Sequence, residues 1–165
     1  MQRPQPQIIR VIDLETTGQA PPTHGVCEIG WQDVALGEGG RWELYGEGGS
    51  RLVNPGRPIP AASTAIHGIT DAMVAGAPDM TGALTAFHHF AEDAVLVAHN
   101  APFDMGMLRR AALETGVYFD NRVLDTILLS AMVWGQSADH TLDALARRLG
   151  IRIAPEARHT AMGDA

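Results

Sequence analysis

The feature that most constrains the fold of this chain is a short apolar run at residues 8–14, with the sequence IIRVIDL. Its length and its β-branched residues are typical of a buried strand. A second such run, AVLVA at residues 94–98, precedes a helical pattern over 102–115 with Pro near its start and Gly116 just beyond its end. Buried strands that open into helices favour an α/β domain.

The segment between these strands has the pattern of an antiparallel meander. Residues 26–36 predict a second strand, and two copies of GEGG, at 37–40 and 46–49, predict turns on either side of a third strand at 41–45. We therefore expect a mixed sheet whose first three strands are antiparallel, flanked by helices. Further helices are predicted at 61–66, 80–92, 125–134 and 142–149.

Length and composition restrict the class of protein. The 165 residues suffice for one domain, and 45% apolar residues can build one large core. No apolar run approaches the roughly 20 residues that cross a membrane, and the polar, Pro-rich residues 1–7 contain no apolar signal segment. The single cysteine, Cys27, excludes an internal disulfide and a cysteine-based zinc site. We expect a cytoplasmic protein with a flexible lead-in at 1–7.

The charge balance argues against a broad basic surface for nucleic acid. The chain has 12 basic and 19 acidic residues and a net charge of −7. Proteins that bind long nucleic acids electrostatically present a positive surface instead. The acidic excess argues less strongly against nucleic-acid binding if some of the carboxylates hold metal ions. Four carboxylates that bind two divalent cations would move the net charge from −7 to −3.

Two carboxylates, Asp13 and Glu15, stand at the end of the first predicted strand. Residues i and i+2 of a strand face the same side, so these side chains point together while Leu14 turns into the core. Adjacent carboxylates repel unless a cation lies between them, and oxygen ligands suit Mg²⁺ or Mn²⁺. A solvated strand end is the alternative interpretation of this short motif.

A second polar motif, His99-Asn100 followed by Asp104, comes directly after the AVLVA strand. Loops at the carboxyl ends of strands are where α/β sheets tend to place ligands. Asp104 would lie in the first turn of the following helix, where complementing the helix dipole is an alternative role. His99 and Asn100 could equally close the loop as satisfied polar groups.

A third motif, His159 and Asp164, lies at the end of the sequence. Side chains five residues apart on a helix point roughly 140° apart. Both can face one site only if His159 lies on a loop just before a helix that carries Asp164 in its early turns. A histidine so placed suits a proton carrier better than a fixed ligand; a disordered tail is the alternative.

Taken together, these residues resemble the DnaQ-like 3′–5′ exonucleases of the DEDDh subgroup, a family that includes the proofreading subunit of the bacterial replicative polymerase. The His159–Asp164 spacing indicates the subgroup, and Thr160 stands where the sister subgroup has a tyrosine. The set of modestly specific segments becomes highly specific because all of them occur in the family's order. These segments are VIDLETTG (11–18), AIHGIT (65–70), VAHNAPFD (97–104), LDT (124–126), HTLDALARRLGI (140–151) and RHTAMGDA (158–165).

The resemblance implies a ribonuclease-H-like fold with a central five-stranded mixed sheet. It also implies that two divalent cations, Mg²⁺ or Mn²⁺, are ligated by four carboxylates and that His159 is the general base. The reaction it implies is 3′–5′ hydrolysis of terminal phosphodiesters of single-stranded or frayed nucleic acid, DNA rather than RNA, which releases 5′-mononucleotides by a two-metal mechanism. The implied ligands are Asp13, Glu15, Asp104 and Asp164.

The same resemblance implies contacts with the terminal nucleotide. The apolar Ile66 would lie against the base and His67 near the sugar or phosphate, while Phe103 could stack on a base or belong to the core. Asp125 and Asp143 are expected to be structural residues at helix starts. The full predicted substrate-binding set is Thr16, Thr17, Ile66, His67, His99, Asn100 and Phe103.

One departure from the family concerns the helix that carries Asp164. Family members continue this helix for several turns, whereas the sequence stops at Ala165, so we expect a domain over 8–165 that is truncated in its C-terminal helix. A one-turn helix does not hold itself together in isolation.

Other functions stay open at this point. A catalytically silent or partner-dependent nucleic-acid-binding module and a nucleotide phosphoesterase are the alternatives. A nucleic-acid 3′ end is the expected partner, with recruitment by a DNA polymerase or a fused domain as a further possibility.

Overall fold

The computed structural model describes residues 7–19, 23–154 and 158–165, so residues 1–6 of the expected lead-in lie outside the described part. The five strands are β1 (Ile8–Thr16), β2 (Val26–Leu36), β3 (Trp42–Leu52), β4 (Val95–Ala98) and β5 (Val123–Asp125). Strand β1 pairs antiparallel with β2 and parallel with β4, β2 pairs antiparallel with β3, and β4 pairs parallel with β5. The sheet order is therefore β3-β2-β1-β4-β5, and the expected five-stranded mixed sheet is confirmed.

Seven helices accompany the sheet in the described residues. Three of them end at a glycine in the left-handed conformation, namely Gly68, Gly116 and Gly150. Glycine adopts this conformation at little free-energy cost because it has no Cβ. Within the part of the chain that the structure describes, no helix has the length and apolar character needed to span a membrane. The helices are α1 (Ala61–His67), α2 (Asp71–Val74), α3 (Met80–Ala91), α4 (Ala101–Thr115), α5 (Thr126–Trp134), α6 (Leu142–Leu149) and α7 (Ala161–Asp164).

The main core lies on one face of the sheet, under α3 and α4. Ile12 and Leu14 of β1 are buried there together with Leu84 of α3, Leu96 of β4 and Leu108 of α4. Since side chains alternate along a strand, the residues of β1 that lie between and beside Ile12 and Leu14 point to the opposite face. The packing of the core therefore fixes which face carries the carboxylates of β1.

Two predicted boundaries were wrong, and one helix was not predicted. Strand β3 continues to Leu52, because the second GEGG forms an irregularity within the strand instead of a turn, with Gly46 in the left-handed conformation and a register shift opposite. Helix α5 begins at Thr126 and not at the predicted residue 125, because Asp125 ends strand β5 and caps the helix, the role expected for it. The short helix α2 has no counterpart among the predicted elements.

Candidate metal-binding active site

Carboxylates from both ends of the chain meet on the face of the sheet opposite the core. One oxygen from each of Asp13, Glu15 and Asp164 can be chosen so that all three lie within 4.8 Å of one another. Among the described residues, this is the only group of three or more His, Cys, Asp or Glu side chains with such a spacing. Three oxygen ligands at this separation match the preference of Mg²⁺ and Mn²⁺.

Asp104 adds a fourth carboxylate from helix α4. Its side chain is 2% exposed and accepts hydrogen bonds from its own backbone and from the backbone of Leu14, between Asp13 and Glu15. The start of α4 is held by Asn100, which has a left-handed φ of 64° and donates its N–H to Asp125 Oδ1 at 3.1 Å. The loop after β4 thus fixes Asp104 against β1.

Burial and mutual repulsion destabilise the charged forms of these carboxylates. Burial, followed by repulsion from Asp104 and Glu15, raises the pKa of Asp13 to about 8. Burial, followed by repulsion from Asp164, raises the pKa of Glu15 to about 7, and burial raises the pKa of Asp104 to about 7. Such a cluster is costly at neutral pH unless cations compensate its charge.

Helix α7 reaches the site by packing closely on strand β2. Ala161 is fully buried, and a Cβ built on Gly30 would lie 2.6 Å from the backbone nitrogen of Met162 and still closer to the carbonyl of Ala161. Only glycine permits this approach of two backbones. Gly30 is paired with Asp13 in the β1–β2 register, so the contact sets α7 beside the carboxylates.

His159 lies on the loop directly before α7. It has a left-handed φ of 55° and is exposed, and Thr160 follows as the N-cap residue with its side chain accepting from Gly163 N. The charge and the backbone N–H of His159 both lower the pKa of Asp164, although burial raises it overall. The loop is tied to helix α6 by an ion pair of 2.7 Å between Arg158 and Asp143.

A family model described as "Exonuclease", of the RNase T type, matches residues 11–165, nearly the whole chain. The chain belongs to this exonuclease family. The expected membership of the DnaQ-like exonucleases is thereby confirmed.

Curated relatives of this exonuclease domain are much longer proteins. A DNA polymerase III subunit epsilon-like protein of Rhodobacter capsulatus is 58% identical over 93% of the chain and 21% of the relative. A putative bifunctional exonuclease/endonuclease protein of Mycobacterium tuberculosis is 39% identical over 94% of the chain and 24% of the relative. A PolC-type DNA polymerase III of Halalkalibacterium halodurans is 34% identical over 94% of the chain and 10% of its own length. The chain thus spans a quarter or less of each.

Solved exonucleases share the fold of this domain. Exonuclease X in complex with 5′-overhanging duplex DNA aligns with a TM-score of 0.66 and 29% identity, over 89% of this chain and 77% of that chain. E. coli Exonuclease I in complex with a dA16 oligonucleotide aligns with a TM-score of 0.77 and 16% identity, over 96% of this chain and 38% of that chain. The expected ribonuclease-H-like architecture is therefore confirmed.

The predicted substrate-binding residues at the end of β1 and on α1 divide into exposed and buried ones. Ile66 is 61% exposed, whereas Thr17 is 1% and His67 is 9% exposed. Thr17 closes a loop: its N–H donates to Gly25 O at 2.8 Å, and its Oγ1 accepts from Gly25 N at 3.0 Å. The Oγ1 of Thr16 donates to the carbonyl of Gly18 at 2.8 Å.

His67 is held inside the protein. Its Nδ1 accepts from the N–H of Ile69 at 3.0 Å, and its Nε2 lies 3.9 Å from Cys27 Sγ. Burial lowers the pKa of His67, and the backbone of Thr16 partly opposes this. Thr17 and His67 are therefore held in the interior beside the end of β1, and the predicted direct nucleotide contact of these two side chains does not fit their burial.

The predicted residues after β4 line a different part of the site. His99 Nδ1 lies 2.8 Å from Thr126 Oγ1, and burial lowers the pKa of His99 although the charges of Asp125 and Asp164 oppose this. His99 and Asn100 line one side of an open groove of about 560 Å³ whose other side is formed by residues 138–142. Phe103 is half-buried against the main core, which fits the packing alternative for this residue.

Sequence reasoning missed two residues of the site, Glu28 and Gly30 on strand β2. Both lie on the face that carries the carboxylates, because Glu28 pairs with Glu15 and Gly30 pairs with Asp13. Their alternation in the segment CEIG was visible in the sequence. Their importance was not, because it depends on the β1–β2 register and on the position of α7.

Proposed function

We propose that this chain is a metal-dependent 3′–5′ exonuclease that hydrolyses the terminal phosphodiester of single-stranded or frayed nucleic acid and releases 5′-mononucleotides. The single observation that carries the proposal is the convergence of Asp13, Glu15 and Asp164 within 4.8 Å. These residues come from opposite ends of the chain, so local sequence does not account for their meeting. Membership of the exonuclease family supports the same reaction class.

The residues present fit a pair of divalent cations. The carboxyl pKa values of Asp13, Glu15 and Asp104 are raised by burial and repulsion, so the site favours binding of positive charge. Asp13, Glu15, Asp104 and Asp164 would hold Mg²⁺ or Mn²⁺. When bound, two such ions stabilise the attacking and leaving oxygens of a phosphodiester and neutralise its charge.

His159 is the group we propose to accept the proton of the attacking water. It is exposed on a loop, so its ring can reach a substrate, and it lies beside the carboxylate of Asp164. An adjacent carboxylate stabilises the imidazolium that forms when the proton is taken. The chain itself would thus supply the base, while its carboxylates would hold the cations.

The terminal nucleotide would lie between Ile66 and the loop after β1. Ile66 exposes an apolar side chain, whereas Thr17 and His67 are buried beside the end of β1. The net charge of −7 disfavours long-range attraction of nucleic acid, so we infer contact with only the last few nucleotides. The groove beside His99 and Asn100 offers room for them.

A DNA substrate is favoured over RNA, and a polymerase is the favoured partner. Relatives of this chain are named as DNA polymerase III proteins, and two structural neighbours hold DNA. We infer that the domain acts on a DNA 3′ end that a polymerase or a fused domain presents to it.

The test is digestion of a 5′-labelled single-stranded oligonucleotide in Mg²⁺. The proposal predicts a ladder that shortens by one nucleotide at a time, which disappears with EDTA and in Asp13→Ala. Asp93→Ala, which removes an exposed carboxylate outside the site, is the matched control and keeps the ladder. Binding of the oligonucleotide without cleavage, or cleavage of the p-nitrophenyl ester of thymidine monophosphate alone, contradicts the proposal.

A further inference from the structure

Glu28 is a fifth carboxylate beside the acidic cluster. It lies directly opposite Glu15 in the β1–β2 pair, and its charge contributes to the raised pKa values of Asp13 and Glu15. Directly opposite residues of an antiparallel pair have Cβ atoms about 5 Å apart. A carboxylate at this place adds repulsion to the site, so a compensating role is expected.

Both oxygens of Glu28 are engaged by the protein. Oε2 accepts the backbone N–H of Ala161 at 3.2 Å, and Oε1 accepts the hydroxyl of Ser50 on β3 at 2.6 Å. Ala161 is the first residue of α7, and its N–H has no partner within the helix because it belongs to the first turn. Glu28 therefore connects β3, β2 and the start of α7.

We propose that Glu28 is a positioning residue, which fixes α7 so that His159 and Asp164 face the other carboxylates; this rests on the proposed function. A helix of four residues does not hold itself together, so its place must be set by packing and by bonds to the sheet. Gly30 supplies the close approach. Glu28 supplies the directional bond to Ala161. Ala161 is two residues from His159 and three from Asp164 in the sequence.

The contacts distinguish this role from metal ligation. Each oxygen of Glu28 accepts one hydrogen bond, from Ser50 Oγ or from the Ala161 N–H, and Glu28 is not among the three carboxylates that gather within 4.8 Å of one another. Glutamine can reproduce both contacts: its Oε1 accepts from the Ala161 N–H and its Nε2 donates to Ser50 Oγ. Positioning thus requires the shape and the acceptor of residue 28, whereas ligation requires its charge.

The experiment compares Glu28→Ala, Glu28→Gln and Glu47→Ala, the last removing an exposed carboxylate of β3. Three measurements are made on each protein: hydrogen–deuterium exchange of residues 158–165, Mn²⁺ affinity by calorimetry, and steady-state kinetics on the labelled oligonucleotide, which gives kcat and KM. Glu28→Ala is expected to speed exchange of the tail, to weaken Mn²⁺ binding about 10–100-fold and to lower kcat about 100-fold with little change in KM. Glu28→Gln and Glu47→Ala are expected to resemble the parent protein in all three.

Each outcome decides the proposal. If Glu28→Gln loses as much Mn²⁺ affinity and kcat as Glu28→Ala, Glu28 acts through its charge and the positioning role is wrong. Unchanged tail exchange in Glu28→Ala also overturns it. Should Glu28→Ala fail to fold, Ser50→Ala removes the second hydrogen bond that orients the Glu28 carboxylate and is expected to speed tail exchange by a smaller amount. A parent protein without nuclease activity refutes the proposed function, while exchange and Mn²⁺ binding still test positioning.

Discussion

Replacing Gly30 by alanine is expected to displace helix α7 and the proposed catalytic residues His159 and Asp164 while leaving the rest of the fold intact. The new Cβ would lie 2.6 Å from the backbone nitrogen of Met162 and closer to the carbonyl of Ala161, where ordinary contact begins at 3.4 Å. These atoms are backbone, so a side-chain rotation cannot relieve the clash. Helix α7 must therefore retreat from the sheet by more than 0.8 Å, because 0.8 Å is the shortfall at the Met162 nitrogen alone and the carbonyl of Ala161 lies closer still.

A retreat of this size has a calculable consequence for catalysis. A misplacement of about 1 Å costs on the order of 100-fold in rate, which is about 2.7 kcal/mol of transition-state stabilisation. Because His159 and Asp164 move with α7 and Ile66 does not, the loss is expected in kcat and not in KM. Overpacking also lowers the free energy of unfolding by about 1–3 kcal/mol.

The assay is steady-state digestion of a labelled oligonucleotide with thermal unfolding measured in parallel. Gly76→Ala is the matched control, because a Cβ at this loop position meets no atom within 4 Å. It is expected to leave kcat unchanged. A folded Gly30→Ala protein with the parent kcat would refute the claim that the Gly30 contact sets the position of α7.

Four further predictions concern charge, the base, a helix cap and pH. In EDTA at pH 8, Asp13→Asn raises the free energy of unfolding by about 1–3 kcal/mol because it removes a repelled carboxylate, yet it abolishes digestion. His159→Gln lowers kcat about 10²–10⁴-fold with little change in KM. Asp125→Ala, which removes the acceptor for Ile127 N and Asn100 N, lowers stability by about 1 kcal/mol, or roughly 2–4 °C in Tm. The metal-free parent protein loses stability as pH rises from about 4 to about 8, measured by thermal unfolding in EDTA.

The sign of the pH effect follows from the raised carboxyl pKa values. The pKa of Asp13 is about 8 in the folded protein and 3.8 in a model peptide, so the folded protein binds this proton more tightly. The stabilisation is complete below the lower value and is lost as pH rises through the higher one. Saturating Mn²⁺ is expected to reverse the loss. A metal-free Tm that increases over this range, or an Asp13→Asn protein less stable than its parent in EDTA, contradicts the repulsion argument.

The sequence predicts residues whose position depends on local pattern. Asp13 and Glu15 share a face because strands alternate, and the structure places them together. Asp125 was expected to cap a helix, and its side chain accepts from Ile127 N at 2.9 Å. The loop position of His159 follows from its spacing to Asp164. Such inferences need only the geometry of a single element.

Features that depend on contacts between elements were not predictable. The length of β3 depends on how the second GEGG is accommodated between the Asp33–Tyr45 and Trp31–Gly49 pairs of β2 and β3. The burial of Thr17 and His67 depends on the contact of Thr17 with Gly25 and of His67 with Cys27. The folded state of α7 depends on Glu28 and Gly30, which are distant in sequence. In each case the deciding neighbour lies outside the local pattern.

Anomalous scattering from manganese in a soaked crystal would show whether the acidic cluster binds metal ions. A strong peak is expected among the carboxylates of Asp13, Glu15 and Asp164, and a second one beside it with Asp104 among its neighbours. If saturating Mn²⁺ leaves these carboxylates without a peak and binds elsewhere, the acidic cluster is not a metal site, and the exonuclease mechanism proposed for this chain is wrong.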